Sequence, residues 1–260
     1  MISAGIDVGA VSTKAVILVD GEPRASAQTP TLGPEASAAA AFDTALARAG
    51  LRREDVRCVV ATGRGRARVS FATRTVTEIA GAAAGAVRIW GPSVRTVLDA
   101  GGESCRVIHC TERGRATSFL WNDKCAAGIG RSLETLAGMI NVDVTGIGEL
   151  ALRAGESPRL SDFCAVYALS ELLDLVRSKV PAEQLVAAYH DAMARRISTL
   201  VARAGVTKSF VIVGGLARNA GIVNRVDALL KMDRLAAKPD WDPVFTVALG
   251  AAVFAEGFSR

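Results

Sequence analysis

The apolar positions of this chain fall into short blocks closed by glycine and longer stretches with helical spacing. AVILV from Ala15, CVVATG from Cys58, VIHC from Val107 and FVIVGG from Phe210 read as strands bounded by turn residues. Glu35 to Ala49, Gly130 to Ile140, Ala165 to Ser178 and Glu183 to Ala204 read as helices, and a further helix opens near Asn219. A last helix, around Val247 to Ala255, is expected to pack back on the first part of the chain.

The blocks repeat. Ile6 to Lys14 (IDVGAVSTK) and Leu98 to Arg106 (LDAGGESCR) superimpose without gaps at an offset of 92 residues. They share an apolar residue, an aspartate, a glycine two positions later and a basic residue seven positions after the aspartate. Each copy continues into an apolar strand, a turn ending in Gly21 or Gly114, and a further strand. A duplicated strand-turn-strand-turn-strand unit followed each time by helices implies an α/β protein of two lobes with a cleft between them. The expected division is residues 1–95 with the C-terminal helix 245–260 as the first lobe, and 96–244 as the second.

Composition narrows the setting. With 260 residues, half of them apolar, the chain can bury a full core without disulfide staples. Five cysteines and the absence of a basic start, apolar run and cleavage site lead us to expect a reducing, cytoplasmic protein. The Ala-rich stretches near Ala38 and Ala83 are bounded by charges well short of the roughly 20 residues a span needs, so no membrane segment is expected. The net charge of +5 is spread over scattered arginines and small clusters at Arg52 and Arg53 and at Arg64, Arg66 and Arg68. With aromatics at 5% and no basic run interleaved with them, nucleic acid is not an expected partner.

The repeats carry the candidate chemistry. A hairpin turn from Gly9 to Thr13 offers backbone N–H groups and the Ser12 and Thr13 hydroxyls to phosphate oxygens, and Lys14 offers charge. Gly101, Gly102 and Ser104 form the counterpart. Asp7 and Asp99 close the preceding strands, where a carboxylate can hold Mg²⁺ through water or orient an attacking water at a γ-phosphate. A single D-x-G is ordinary strand punctuation, but two copies in register favour ATP. The run from Val211 supplies a third piece, a Gly214–Gly215 turn before a helix opened at Asn219, suited to an adenosine with the helix N-terminus nearby.

Two cysteines stand where helices begin: Cys125 in WNDKCAAGIGR ahead of the Gly130 helix, and Cys164 ahead of Ala165. A helix N-terminus lowers a thiol pKa, so both are candidate thiolates. Cys58 lies in an apolar strand and reads as packing, as do Cys105, His109 and Cys110, which lack a second ligand pair at zinc spacing. His190, with charged neighbours on its helix, reads as a surface residue.

The phosphate loops and the Gly-Gly turn, in this order, resemble the sugar kinase/Hsp70/actin superfamily of two-lobed ATPases. Within it DVGAVSTKAVIL, TGRGR at Thr62, TEI at Thr77, NDKCAAGIGR at Asn122, VGGLARNAG and ALGAAVFA at Ala248 resemble one branch. That branch holds the ATP-dependent activators of 2-hydroxyacyl-CoA dehydratases and the ATPase subunits of benzoyl-CoA reductase. The resemblance implies an actin-like fold, ATP and Mg²⁺, and a [4Fe–4S] cluster whose ligands carry over onto Cys125 and Cys164. Two thiolates are half of a four-cysteine set, so a homodimer, or a heterodimer with a related ATPase subunit, would share one cluster. It further implies an iron–sulfur dehydratase or reductase as partner, and a ferredoxin or flavodoxin as electron donor.

Departures accompany the resemblance. Gly102, Glu103 and Ser104 stand where the branch has Gly-Gln-Asp, altering the charge that faces a γ-phosphate. Gly81 and Ala82 replace the usual Cys-His after TEI. Two rivals use the same loops: a small-molecule kinase without a cluster, with Asp99 as base, and an assembly protein of the actin type.

Overall fold

A computed structural model describes residues 1–122, 128–207, 209–232, 234–236 and 238–258. In chain order the main elements are β1 (Ile2–Val8), β2 (Ser12–Val19), β3 (Glu22–Pro30), α1 (Pro34–Ala49), β4 (Cys58–Thr62), β5 (Arg74–Thr75) and α2 (Glu78–Trp90). They continue with β6 (Thr96–Ala100), β7 (Cys105–Cys110), β8 (Ala116–Asn122), α3 (Ile129–Met139), α4 (Ile147–Arg153), α5 (Ala165–Arg177), α6 (Ala182–Ala204), β9 (Phe210–Val213), α7 (Ala220–Leu230) and α8 (Thr246–Phe258). Two sheets result, one in the order β3-β2-β1-β4-β5 and one in the order β8-β7-β6-β9. The first four strands of the one and all four of the other follow the same plan. The internal repeat therefore extends to a fourth strand, β4 or β9, that comes from far along the chain.

By compactness the chain divides into one unit of residues 1–97, 108–119 and 235–260, and another of 98–107 and 120–234. In the first unit β1 is buried over nearly its whole length, as expected of a central strand covered on both faces. On one side lies α1, which starts on a proline after Gly33 and turns Ala38, Ala41, Phe42, Ala45 and Leu46 inward, the spacing of one helical stripe. On the other lies α8, packed on β1 and α2 and apolar nearly all round. The last helix thus returns to the first strands. Its approach depends on small residues: a Cβ added at Gly250 would fall 1.8 Å from the Gly81 carbonyl oxygen. Gly81, where the resembled branch carries cysteine, is part of that backbone-to-backbone contact. The Ala-rich stretch around Ala83 is α2, capped by the Thr77 hydroxyl accepting from the Ala80 N–H.

In the second unit Leu136, Leu172, Tyr189, Met193, Phe210 and Val226 share one core, drawn from α3, α5, α6, β9 and α7. Among the described residues, no helix is long and apolar enough to cross a membrane.

Candidate functional site

The first hairpin is antiparallel with Asp7 opposite Lys14 and Val8 opposite Thr13. This register explains the sequence spacing: across a four-residue turn, Gly9 to Ser12, the cross-strand partner of an aspartate is the residue seven later. Lys14 Nζ lies 3.4 Å from Asp7 Oδ2 and donates to the Ser12 carbonyl oxygen at 3.1 Å. Ser12 is half-buried at the turn, whereas Thr13 is buried and its hydroxyl lies 2.8 Å from that of Thr31. Strand alternation separates the two hydroxyls, and the structure brings Ser12, not Thr13, to the turn surface.

The second hairpin repeats the arrangement. The Gly101 N–H donates to the Ser104 carbonyl oxygen at 2.9 Å, closing the turn, and Arg106 Nη1 donates to Asp99 Oδ2 at 2.7 Å. Both side chains are buried. The Arg106 guanidinium also stacks 4.8 Å from the centroid of the Trp121 ring. A buried carboxylate opposite a basic side chain is therefore common to both copies, held more tightly in the second, where the cation is buried as well.

A third feature is shared, at the glycines that close CVVATG and FVIVGG, and their place beside the aspartates is not announced by the sequence. Gly63 follows β4 with φ +88°, and Gly214 follows β9 with φ +89°. A Cβ at Gly63 would lie 2.4 Å from the Val8 carbonyl oxygen and 2.6 Å from Asp7 Oδ1. At Gly214 it would lie 2.5 Å from the Ala100 carbonyl oxygen and 3.0 Å from Asp99 Oδ1. In each copy a left-handed glycine on the neighbouring strand closes over the aspartate, a position where a side chain would be both strained and without room.

Beyond Gly214, Gly215 opens a 3₁₀ turn through Arg218, and Asn219 caps α7 by accepting the Ile222 N–H at 2.9 Å. The Asn219 Nδ2 lies 3.0 Å from His190 Nε2, while His190 Nδ1 lies 2.8 Å from the Val186 carbonyl oxygen. A carbonyl only accepts, so Nδ1 carries the proton and Nε2 accepts from Asn219. His190 is thus not a surface residue: it is fully buried, and burial, reinforced by the Arg225 charge, pushes its pKa down to about 4. Its charged neighbour Asp191 is itself paired with Arg225, so the charge beside it marks an internal ion pair.

Cys125 lies outside the described residues. Cys164 stands at the N-cap position of α5, half-buried, with no acidic residue in the helix's first turn. The segment leading to it is fixed from α6: Arg196 Nη1 donates to the Phe163 carbonyl oxygen at 2.6 Å and Arg195 donates to Asp162 and Leu160. Helix N–H groups and a nearby guanidinium suit a thiolate. Cys105 and Cys110 are placed differently. Burial, with the Asp99 charge adding to it, raises the Cys105 pKa to about 12, and burial also raises that of Cys110. Glu103, Ser104, Gly128, Ala165 and Arg196 line one recess, which joins the Gly101–Ser104 turn to the starts of α3 and α5 within the second unit.

Residues 4–255 match the model of the BadF/BadG/BcrA/BcrD ATPase family. Over 256 residues the chain is 37% identical to the 2-hydroxyisocaproyl-CoA dehydratase activator of Clostridioides difficile, covering 98% of this chain and 95% of that protein. It is equally identical over the same length to the activator of lactoyl-CoA dehydratase of Anaerotignum propionicum, covering 98% and 97%. A solved structure, the activator of the 2-hydroxyisocaproyl-CoA dehydratase from Clostridium difficile with bound ADPNP, superimposes with a TM-score of 0.92 at 36% identity, over 100% of this chain and 96% of that one. The duplicated α/β architecture is accordingly that of the actin-like ATPases.

Proposed function

Because the chain belongs to the BadF/BadG/BcrA/BcrD ATPase family, we propose that it is an ATP-dependent activator that passes low-potential electrons to an iron–sulfur dehydratase or reductase acting on acyl-CoA. The observation that carries this reading is the recess in the second unit, where the Gly101–Ser104 loop meets the start of the helix that follows Cys164. A phosphate-binding loop and a candidate thiolate in one packed body give nucleotide state a short path to the thiol.

The residues divide the work as follows. Gly9, Ser12, Gly101, Gly102 and Ser104 offer donors to phosphate oxygens, Lys14 offers charge, and Thr13 braces the first hairpin through Thr31. Asp7 and Asp99 hold Mg²⁺ through water or orient the attacking water. Gly214 and Gly215 receive the adenosine beside the α7 N-terminus, which Asn219 caps. Cys125 and Cys164 ligate half of a [4Fe–4S] cluster, and a second copy or a related ATPase subunit supplies the other half. Such a cluster, when bound, supplies one-electron transfer from a ferredoxin or flavodoxin. The donor set fits it at Cys164, where the α5 N-terminus favours negative charge, and a reducing cytoplasm suits thiols that form no disulfide among the described cysteines.

Anaerobic purification with iron and sulfide assays and a visible absorption spectrum tests the reading. The parent should bring iron and sulfide in equal amounts, and Cys125→Ser and Cys164→Ser should each lose most of both while keeping the parent's nucleotide affinity. An iron-free parent indistinguishable from the two variants would sink it.

A further inference from the structure

The two phosphate loops differ in charge. Where the first has Ala10 and Val11 at its tip, the second has Gly102 and Glu103. A carboxylate on a loop that offers N–H groups to phosphates opposes the ligand's own charge. In this fold that carboxylate meets a partner: Arg131 Nε, on the first turn of α3, donates to Glu103 Oε1 at 2.8 Å. The main chain of the same residue is engaged too, its N–H donating to the Gly102 carbonyl oxygen at 2.9 Å. Around this pair the loop and the helix start touch backbone to backbone. A Cβ at Gly128 would lie 2.3 Å from the Gly102 carbonyl oxygen, and one at Gly130 would lie 2.7 Å from the Gly102 Cα.

We propose that Arg131 is a positioning residue of the second phosphate loop. Its guanidinium offsets the Glu103 charge so that the loop can receive a polyphosphate, and its main-chain bond makes the loop and the start of α3 shift together. Glu103 is in this way tolerated where an uncharged residue would need no partner. The inference rests on reading Gly101 to Ser104 as a phosphate loop.

The test is calorimetric titration of the full chain with a non-hydrolysable ATP analogue and, separately, with AMP. Arg131→Ala should weaken binding of the ATP analogue about tenfold or more while changing AMP binding little, because the lost interaction concerns the outer phosphates. Adding Glu103→Gln to Arg131→Ala should restore the analogue's affinity to within about threefold of the parent, and Arg131→Lys should lie between. A general folding defect would weaken both ligands and would not be rescued by removing a second side chain. A double variant as weak as Arg131→Ala, or an Arg131→Ala protein as tight as the parent, overturns the proposal. A parent that binds AMP and not the ATP analogue overturns the phosphate-loop reading beneath it, and the proposal with it.

Discussion

Acidification from about pH 7 to pH 5 is expected to remove about 2 kcal/mol of stability through a single buried ring, that of His190. The ring is fully buried, its pKa pushed from an ordinary 6.5 to about 4 by desolvation and by the Arg225 charge. Above the ordinary value both folded and unfolded chains hold a neutral imidazole, and the residue makes no pH-dependent difference. Below it the unfolded chain takes up a proton that the folded chain refuses, so stability falls as pH falls; the loss levels off near pH 4, where the folded ring also protonates. A depression of this size corresponds to about 3 kcal/mol across the whole window, of which about two thirds has appeared by pH 5. Because carboxylates titrate in the same range, the assay is a comparison: urea unfolding of the parent and of His190→Gln at both pH values. The variant gives up the Val186 bond and some packing at either pH, but its loss on acidification should be smaller than the parent's by about 2 kcal/mol. The chain has two histidines, so ring resonances can be followed directly, and those of His190 should stay at their neutral positions until the pH nears 4. Parallel losses in parent and variant, or a His190 ring that titrates at its ordinary value, would refute the assignment of the buried neutral tautomer that accepts from Asn219.

Two further perturbations probe the repeat. Arg106→Leu leaves Asp99 as a buried carboxylate deprived of its guanidinium and should cost about 3–5 kcal/mol in urea unfolding, whereas Arg106→Leu with Asp99→Asn should cost less than the single change. Gly63→Ala and Gly214→Ala each force a side chain into a left-handed backbone already within 2.6 Å of another atom, and each should destabilise by about 1–3 kcal/mol and weaken ATP-analogue binding, read by thermal unfolding and calorimetry. A Gly214→Ala protein as stable as the parent would mean that the carbonyl of Ala100 is not where the turn requires it.

What the sequence made legible was information local along the chain. The Asp-to-basic spacing of seven is visible because a hairpin converts it into a cross-strand pair, Asp7 with Lys14 and Asp99 with Arg106. Cys164 before a helix, Gly214 after a strand and Asn219 at a cap are likewise single-turn features, and each element stands where its punctuation suggests. The misreading of His190 has the opposite origin. On α6 its neighbours look polar, yet Asp191 is neutralised by Arg225 from α7, and the ring's own polar atoms are met by Val186 and Asn219. Burial there depends on a partner nearly thirty residues away, which no helical period reports. The glycine closures over the two aspartates illustrate the same limit: CVVATG and FVIVGG both end in glycine, but nothing in the sequence sets either glycine beside an aspartate. They become equivalent only when β4 and β9 take the same place beside β1 and β6. The duplication is therefore deeper in space than in sequence, since it preserves the surroundings of a carboxylate while the residues that build those surroundings, Lys14 or Arg106 and Thr62 or Val213 ahead of the glycines, have been free to differ. Glu103 follows the same logic at one remove. In sequence its charge is a departure within the Gly101–Ser104 turn, and in the fold it is matched by Arg131, a residue 28 positions on that only the fold brings back to it.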